Sequence, residues 1–270
     1  MSKTTINSES SRKLNLKELF DYRDLFWVLA YRDLRVRYAQ TFLGLLWAVL
    51  QPLSTLLIFT LIFGRAIKVD TGNIPYPLFA LCGMSAWSYF SFVMNQSGTS
   101  IIGAQEMIKK IYFPRLVIPL SKSLVAFVDF GIALAMTIVL LFYYQIHLTS
   151  SIFIFPAFVL LNILFALGVG IWLSSLTIRY RDFQHIVPFL VQLGLYASPI
   201  AYPAALIPEK YKVLYYLNPM AGIVEGFRWT ILNTPPPGVY SLISFGLVFI
   251  IFFSGLWYFK KMERTMADLI

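Results

Sequence analysis

The chain has 270 residues, of which 58% are hydrophobic and only 13% are charged, and its formal net charge is +9. A soluble domain is nearer half apolar and about a quarter charged, so this composition argues against a soluble enzyme and for an integral membrane protein. The basic residues lie in short segments between apolar runs, which favours contact with membrane lipids over binding of nucleic acid. With one cysteine and two widely separated histidines, the chain is predicted to hold no disulfide and no metal.

The first part of the chain is polar. Residues 1–20 are predicted to form a flexible cytoplasmic N-terminus, and residues 21–270 a single membrane domain. The stretch 1–14 is rich in Ser, Thr and Asn and contains no apolar core, so no cleavable signal peptide is expected there.

An amphipathic helix is predicted over about residues 21–40. Its apolar residues follow the spacing of one helix face, and arginines fill several of the other positions. Such a helix lies in the membrane interface with its arginines toward lipid phosphates. Since guanidinium groups bind phosphate bidentately, Arg32, Arg35 and Arg37 are candidates for receiving a lipid-linked, phosphate-bearing substrate. The alternative is a helix that only anchors the topology.

Six membrane crossings are predicted for this all-α chain. Five of the apolar runs have about 20 residues or more, the length that a helix needs to cross a bilayer, and the fifth crossing in chain order is shorter. The predicted spans are about 42–64, 76–94, 116–144, 152–176, 185–197 and 239–259.

The segment between the last two spans, about 198–233, has a different character. Five prolines fall within or just before it, and a charged turn lies in its middle. Irregular backbone survives at membrane depth only where protein or a wet cavity surrounds it, so this segment is predicted to form re-entrant helices and to act as a gate or pathway element. Two further full crossings joined by a tight turn are the alternative.

The basic residues are distributed unequally between the two ends of the predicted bundle. Seventeen of the 22 Lys and Arg residues lie on the side of the N-terminus and five on the other. Cytoplasmic segments carry the excess of basic residues, so both termini are predicted to be cytoplasmic and the turn at Lys210 to lie outside.

Few ionisable residues fall within the spans. Asp129 is the clear one, and because no cation is expected at its depth, hydrogen bonding between helices is favoured over a proton relay. Glu225 and Arg228 are expected to pair on one helix face. The connection from Gly103 to Arg115 is unusually apolar for a cytosolic turn, so it is predicted either to contact a partner protein or to lie on the membrane surface.

Aromatic residues make up 17% of the chain. Many are expected in the interfacial belts, but others fall inside spans. Sugar rings stack on aromatic rings, so an aromatic-lined tunnel suits a sliding polysaccharide, whereas packing within the helical bundle is the alternative. The candidate tunnel residues are Trp87, Tyr89, Phe90, Phe92 and Tyr196.

Several motifs resemble those of one transporter family. They are RDLRVRYAQTFLGLLW at 32–47 with Gln51-Pro52, KIYFPR at 110–115, RYRD at 179–182, SPI at 198–200 with Tyr202-Pro203, and LNPM at 217–220. Over nearly the whole chain from about residue 21, they resemble the ABC type-2 permeases that export polysaccharides of the O-antigen, capsule and teichoic-acid types.

This resemblance implies a transport subunit of the bacterial cytoplasmic membrane rather than an enzyme. Two copies would form one tunnel for a polyprenyl-diphosphate-linked glycan, and two separate ATP-binding subunits would bind ATP and Mg, so that this chain needs no cofactor. The coupling helix that contacts those subunits would include Glu106, Met107, Lys109, Lys110 and Tyr112. The gate would include Pro199, Tyr202, Pro203, Asn218 and Pro219.

Three alternative functions remain at this point. A drug or lipid exporter of the same family shares the architecture, but the arginine-rich helix and the aromatic residues favour a glycan. An ion-coupled secondary transporter is disfavoured by the scarcity of charged residues in the spans. A membrane enzyme acting on lipid-linked sugars is disfavoured because the sequence contains no GxSxG motif and no paired carboxylates in a water-accessible setting.

Overall fold

The structure, a computed structural model, describes residues 16–39, 44, 46–263 and 266. The regular elements of these ranges are all helical, which confirms the predicted all-α class. The part of the predicted flexible tail that ends at residue 15 lies outside the described residues. Residues 16–20, predicted as the end of that tail, are helical instead.

The helices follow one another with short connections. The first five are α1 (Leu16–Asp21), α2 (Arg23–Ala39), α3 (Leu46–Phe59, continued by a π-helical segment Thr60–Ala66), α4 (Tyr76–Gly103) and α5 (Gln105–Lys110). The remaining six are α6 (Val117–Tyr143), α7 (Phe155–Arg179, preceded by a 3-10 turn Ser150–Ile154), α8 (Phe183–Ala197), α9 (Glu209–Tyr215), α10 (Pro219–Leu232) and α11 (Ser241–Glu263).

Five of these segments are long and apolar enough to cross a membrane, namely those built on α3, α4, α6, α7 and α11. Helix α4 runs nine residues past the predicted end of the second span at residue 94. Helix α8 has 15 residues and a length of about 22 Å, short of the roughly 30 Å hydrocarbon core. The sixth crossing therefore stays a prediction.

The segment 198–233 contains a 3-10 turn at Ala204–Leu206 and two short α-helices, α9 and α10. The longer, α10, has 14 residues, a length of about 21 Å, so neither helix crosses a full bilayer alone. This argues against two additional full crossings. The re-entrant arrangement stays a prediction.

Helix α4 lies at the centre of the bundle. It packs against α3, α6, α7, α8 and α10, and most of its apolar stretch is buried inside the protein. The sequence of α4 is rich in Ala, Gly and Ser. These small residues suit a central helix, because they let neighbouring backbones approach closely. Helix α4 is also the least apolar of the five crossing segments, as expected for a helix that faces protein rather than lipid.

Helices α7 and α11 meet at glycines. A Cβ atom added to Gly168 would lie 2.8 Å from the Cα of Phe252, and one added to Gly255 would lie 2.7 Å from the carbonyl oxygen of Gly168. Backbones this close leave no room for a side chain between them. The rings of Trp172 and Tyr258 stack at 4.4 Å and extend the same contact.

Helices α3 and α8 are only slightly covered by the rest of the chain. In α8 only Val187 is buried, and the buried residues of α3 are Ala48, Leu56 and Phe59. Both helices therefore present long apolar faces to their surroundings, either lipid or another protein surface.

Candidate functional site

Two ion pairs fasten the amphipathic helix α2 to the crossing helix α6. The ammonium group of Lys122 contacts the carboxylate of Asp33, and both side chains are mostly buried. One helical turn further along α2, the guanidinium group of Arg37 lies 2.6 Å from the carboxylate of Asp129. Asp33 and Arg37 are four residues apart on α2, so they lie on one face of that helix. Lys122 and Asp129 are seven residues apart on α6 and likewise share one face.

Asp129 has further partners around this ion pair. The hydroxyl of Tyr38 donates a hydrogen bond to the Asp129 carboxylate at 2.7 Å. Burial, followed by the contact with Asp129, raises the pKa of the Tyr38 phenol, which keeps it a proton donor. The expectation that no cation lies at the depth of Asp129 is therefore wrong, because α2 supplies Arg37 from a distant part of the sequence.

The three arginines proposed for phosphate binding differ in their surroundings. Arg37 is paired with Asp129, and its guanidinium carbon lies 4.4 Å from the centre of the Phe92 ring. Arg32 donates to its neighbour Asp33 at 2.9 Å but stays 54% exposed. Arg35 is exposed. Arg37 thus holds helix α2 in place, whereas Arg35 and part of Arg32 are accessible. The phosphate-binding role of the three arginines stays a prediction.

The segment predicted to contact a partner protein contains a short helix, as expected. Helix α5 ends at Lys110, before Pro114. The side chains of Glu106, Lys109, Lys110 and Tyr112 are exposed, and that of Met107 is half-buried. The exposed residues are accessible to a partner, and their coupling role stays a prediction.

Two other parts of the chain support this segment. The hydroxyl of Tyr112 donates to the Glu18 carboxylate of α1 at 3.1 Å, and the hydroxyl of Tyr22 donates to the Tyr112 carbonyl at 3.4 Å. Burial, followed by the contact with Glu18, raises the pKa of the Tyr112 phenol. At the other side, the Arg115 guanidinium donates to the carbonyl of Glu263 at the end of α11. Sequence reasoning missed Glu18, because its helix has only six residues, too few to show a helical period.

The aromatic residues proposed for a tunnel are mostly core residues. Trp87, Tyr89 and Phe90 are each at most 7% exposed, and the ring of Phe90 stacks on Phe165 at 4.6 Å. A tunnel between two copies is lined by residues on the outside of each copy, so the tunnel interpretation is wrong for these three in this conformation. Phe92 is half-buried beneath Arg37.

Tyr196 has the accessibility that the tunnel interpretation requires. It lies at the end of α8, is 57% exposed, and faces the surroundings of the chain together with the rest of that helix. Its role stays a prediction. The sequence did not separate Tyr196 from the buried aromatic residues, because residue type alone does not report the orientation of a side chain.

Arg228 organises the predicted gate. It is 3% exposed, donates to the carbonyl oxygen of Ile200 at 2.9 Å, and lies 3.4 Å above the ring of Phe79 on α4. The hydroxyl of Tyr76 donates to the carbonyl of Ala201 at 2.9 Å. A buried cation and a tyrosine therefore hold the loop after α8 against the start of α4.

The expected pair between Glu225 and Arg228 is not formed. The two carboxylate oxygens of Glu225 each accept from the hydroxyl of Tyr216 at 2.7 Å, while Arg228 turns to backbone carbonyls. Helical spacing permits the pair, but the loop carbonyls lie where the guanidinium group needs acceptors. The sequence signal for the role of Arg228 was its place within an apolar stretch, because an arginine there needs partners inside the protein.

The candidate gate residues surround the start of α10. The Asn218 side chain accepts from the backbone N–H of Met220 at 3.0 Å and so caps α10, with Pro219 at the first helical position. Its amide nitrogen donates to the Ser198 hydroxyl at 2.9 Å, next to Pro199. Tyr202 and Pro203 follow in the same loop and are half-buried.

Comparison with known proteins gives consistent matches along the chain. A family model described as ABC-2 type transporter matches residues 24–232. The O-antigen export system permease protein RfbA of Klebsiella pneumoniae is 32% identical over 96% of this chain and 98% of its own length. The Myxococcus xanthus protein of the same name is 28% identical over 94% and 98%. The polysialic acid transport protein KpsM of Escherichia coli is 28% identical over 88% and 93%.

Proposed function

Since this chain belongs to the ABC-2 type transporter family, we propose that it is the permease subunit of an exporter that moves a lipid-linked polysaccharide across the bacterial cytoplasmic membrane. The observation that carries this proposal is the end-to-end similarity to proteins named for O-antigen export and for polysialic acid transport. Both names refer to glycan polymers. The family membership and the crossing helices together make the chain a multi-pass membrane protein.

ATP would be hydrolysed by separate subunits. The sequence contains no GxxxxGK[ST] phosphate-binding loop, so two ATP-binding subunits with their Mg would supply the energy. The exposed side of α5, with Lys109 and Lys110, would contact them. Support for this contact comes from the hydrogen bonds of Tyr112 and Arg115, which hold both flanks of the exposed helix to α1 and α11.

A second copy of the chain would complete the pathway. Helices α3 and α8 expose apolar side chains along most of their length, and burial of these faces between two copies would favour pairing. Tyr196, exposed at the end of α8, would then face the space between the copies. Both termini would lie in the cytoplasm, as the distribution of basic residues favours.

The lipid-linked end of the substrate would meet helix α2. Arg35 is exposed there, and Arg37 and Lys122 fix the helix against α6 through carboxylates. A diphosphate approaching in the interface would meet the accessible guanidinium group of Arg35, which binds phosphate oxygens bidentately.

Deletion of the gene in its native cell tests the proposal. We expect surface polysaccharide to disappear and lipid-linked glycan to accumulate in the cytoplasmic membrane, with both effects reversed by the wild-type gene. An Arg35→Ala variant should restore less surface glycan at an equal membrane level, because Arg35 makes no ion pair within the described residues. Arg65→Ala, on the opposite end of the bundle, is the matched control.

Two results would overturn the proposal. Unchanged surface glycan in the deletion strain would exclude polysaccharide export, and a simultaneous gain in sensitivity to drugs would instead favour the drug-exporter alternative. Export that continues in cells lacking the ATP-binding subunit and stops with an uncoupler would favour an ion-coupled transporter.

A further inference from the structure

A cavity opens at the end of the bundle opposite helix α5. Its volume is about 370 Å³, within the size range of small-molecule sites. It lies between the turn that precedes α7 and the C-terminal end of α10. The lining residues are Thr149, Ser150, Ser151, Ile154, Trp229, Asn233 and Thr234.

Hydrogen bonds make this cavity a preformed feature. Asn233 ends α10 with φ +57°, and its amide nitrogen donates to the carbonyl of His147 at 2.7 Å. The hydroxyl of Thr149 donates to the Asn233 side-chain oxygen and lies 2.7 Å from the hydroxyl of Ser151. One wall is thereby fixed to the other through side chains.

The indole of Trp229 is held in the wall of the cavity. Its ring meets the Phe158 ring edge to face, with 6.1 Å between centres. Phe158 in turn lies tightly against α10, because a Cβ atom on Gly226 would fall 2.0 Å from it. A rigid, half-buried ring therefore borders a space lined by hydroxyl and amide groups.

Several polar groups of the lining remain available. Within the described part of the chain, the Trp229 indole N–H and the hydroxyls of Ser150 and Thr234 make no hydrogen bond. Hydroxyls both donate and accept, whereas the indole only donates. The available set thus includes both kinds of group beside an apolar ring face.

We propose that this cavity binds one neutral sugar residue of the glycan that the protein exports. A sugar ring offers hydroxyls to Ser150 and Thr234 and apolar C–H groups to the indole of Trp229. This inference rests on the proposed function, since the exported glycan must reach this end of the bundle. The cavity extends that function because it contacts the sugar part of the substrate, whereas Arg35 would contact the diphosphate.

Other ligand classes fit the lining less well. The seven lining residues carry no charge, so an anionic headgroup would find no cation among them. An acyl chain would bury the hydroxyls without partners, which costs free energy for each unpaired group. A neutral, hydroxyl-rich ring satisfies both the polar and the apolar walls.

Saturation-transfer NMR on the purified full-length protein in phosphatidylglycerol nanodiscs tests the site. The probes are the methyl glycosides of glucose, galactose, mannose, rhamnose and N-acetylglucosamine. We expect saturable binding of at least one, and about tenfold weaker binding by the double variant Ser150→Ala/Thr234→Val, which loses two neutral hydrogen bonds. Trp229→Phe should also weaken binding, whereas Trp257→Phe, an exposed residue on α11, should leave it unchanged.

The results separate this site from the function on which it rests. Absence of binding by all five glycosides, or equal binding by wild type and the double variant, overturns the sugar site even if the wild-type gene restores surface glycan. Failure of the wild-type gene to restore glycan overturns the proposed function instead. If adding a glucosyl diacylglycerol to the nanodiscs abolishes glycoside binding whereas a water-soluble fragment of the exported glycan leaves it unchanged, the occupant is a lipid headgroup, and the assignment to the exported polymer is wrong.

Discussion

The contact between Arg37 and Asp129 can be measured by a double-mutant cycle. Arg37→Met keeps the length of the side chain and removes its charge, and Asp129→Asn keeps the hydrogen-bond acceptor for Tyr38 while removing the negative charge. Each single variant leaves the other charge partly buried without its partner. The double variant removes both charges, so the excess of the two single effects over the double effect reports the ion pair.

The expected magnitude follows from distance and exposure. At 2.6 Å and an effective dielectric constant of about 20, the gross attraction is about 6 kcal/mol. Desolvation offsets most of it, and the side chains are still 32% and 14% exposed, so we expect a coupling of about 1–3 kcal/mol. A single variant that loses about 2 kcal/mol should then unfold about 4–8 °C earlier.

Thermal unfolding of the purified protein in one detergent, followed by intrinsic fluorescence, provides the measurement. Arg35→Met, at an exposed position on the same helix, is the control and should shift the midpoint by less than about 1 °C. If the two single effects add within about 0.5 kcal/mol to give the double effect, the pair does not hold α2 on α6 and the reasoning fails.

Three further perturbations probe other contacts. Gly168→Ala should destabilise the protein by about 1–3 kcal/mol through overpacking of α7 against α11, whereas Gly131→Ala, with open space around its Cβ position, should not; equal thermal shifts would contradict this. Arg228→Met should cost about 2–4 kcal/mol, because two loop and helix carbonyls lose a buried donor, and an unchanged unfolding midpoint would exclude the role given to it. Reversing Lys109 and Lys110 to Glu should reduce co-purification of the ATP-binding subunit at an unchanged membrane level, and full recovery of that subunit would exclude α5 as the contact.

Much of the helical architecture could be predicted from local sequence. The five long apolar runs correspond to the five crossing segments, because a helix that faces lipid must be apolar over the thickness of the membrane. Boundaries were less certain: α4 continues to Gly103, through a stretch containing Ser, Thr, Asn and Gln. These residues tolerate burial within protein and therefore resemble a loop when only lipid exposure is considered.

The candidate sites could be predicted only in part. Residue type identified arginines suited to phosphate and aromatic rings suited to sugars, and the family resemblance assigned Asn218 and Pro219 to the gate. Residue type did not reveal that Arg37 is engaged with Asp129 or that Tyr89 is buried. Those outcomes depend on which helix packs beside which.

Composition and apolar run length by themselves determined that this is a helical membrane protein, because the bilayer imposes both features on each segment separately. The motifs and their order added the resemblance to a polysaccharide-export permease. Only the tertiary structure decided the partners of Asp129 and Arg228 and the cavity beside Trp229. Each of these joins residues from distant parts of the chain, and helical periodicity fixes the face of a side chain without specifying the neighbour that it meets.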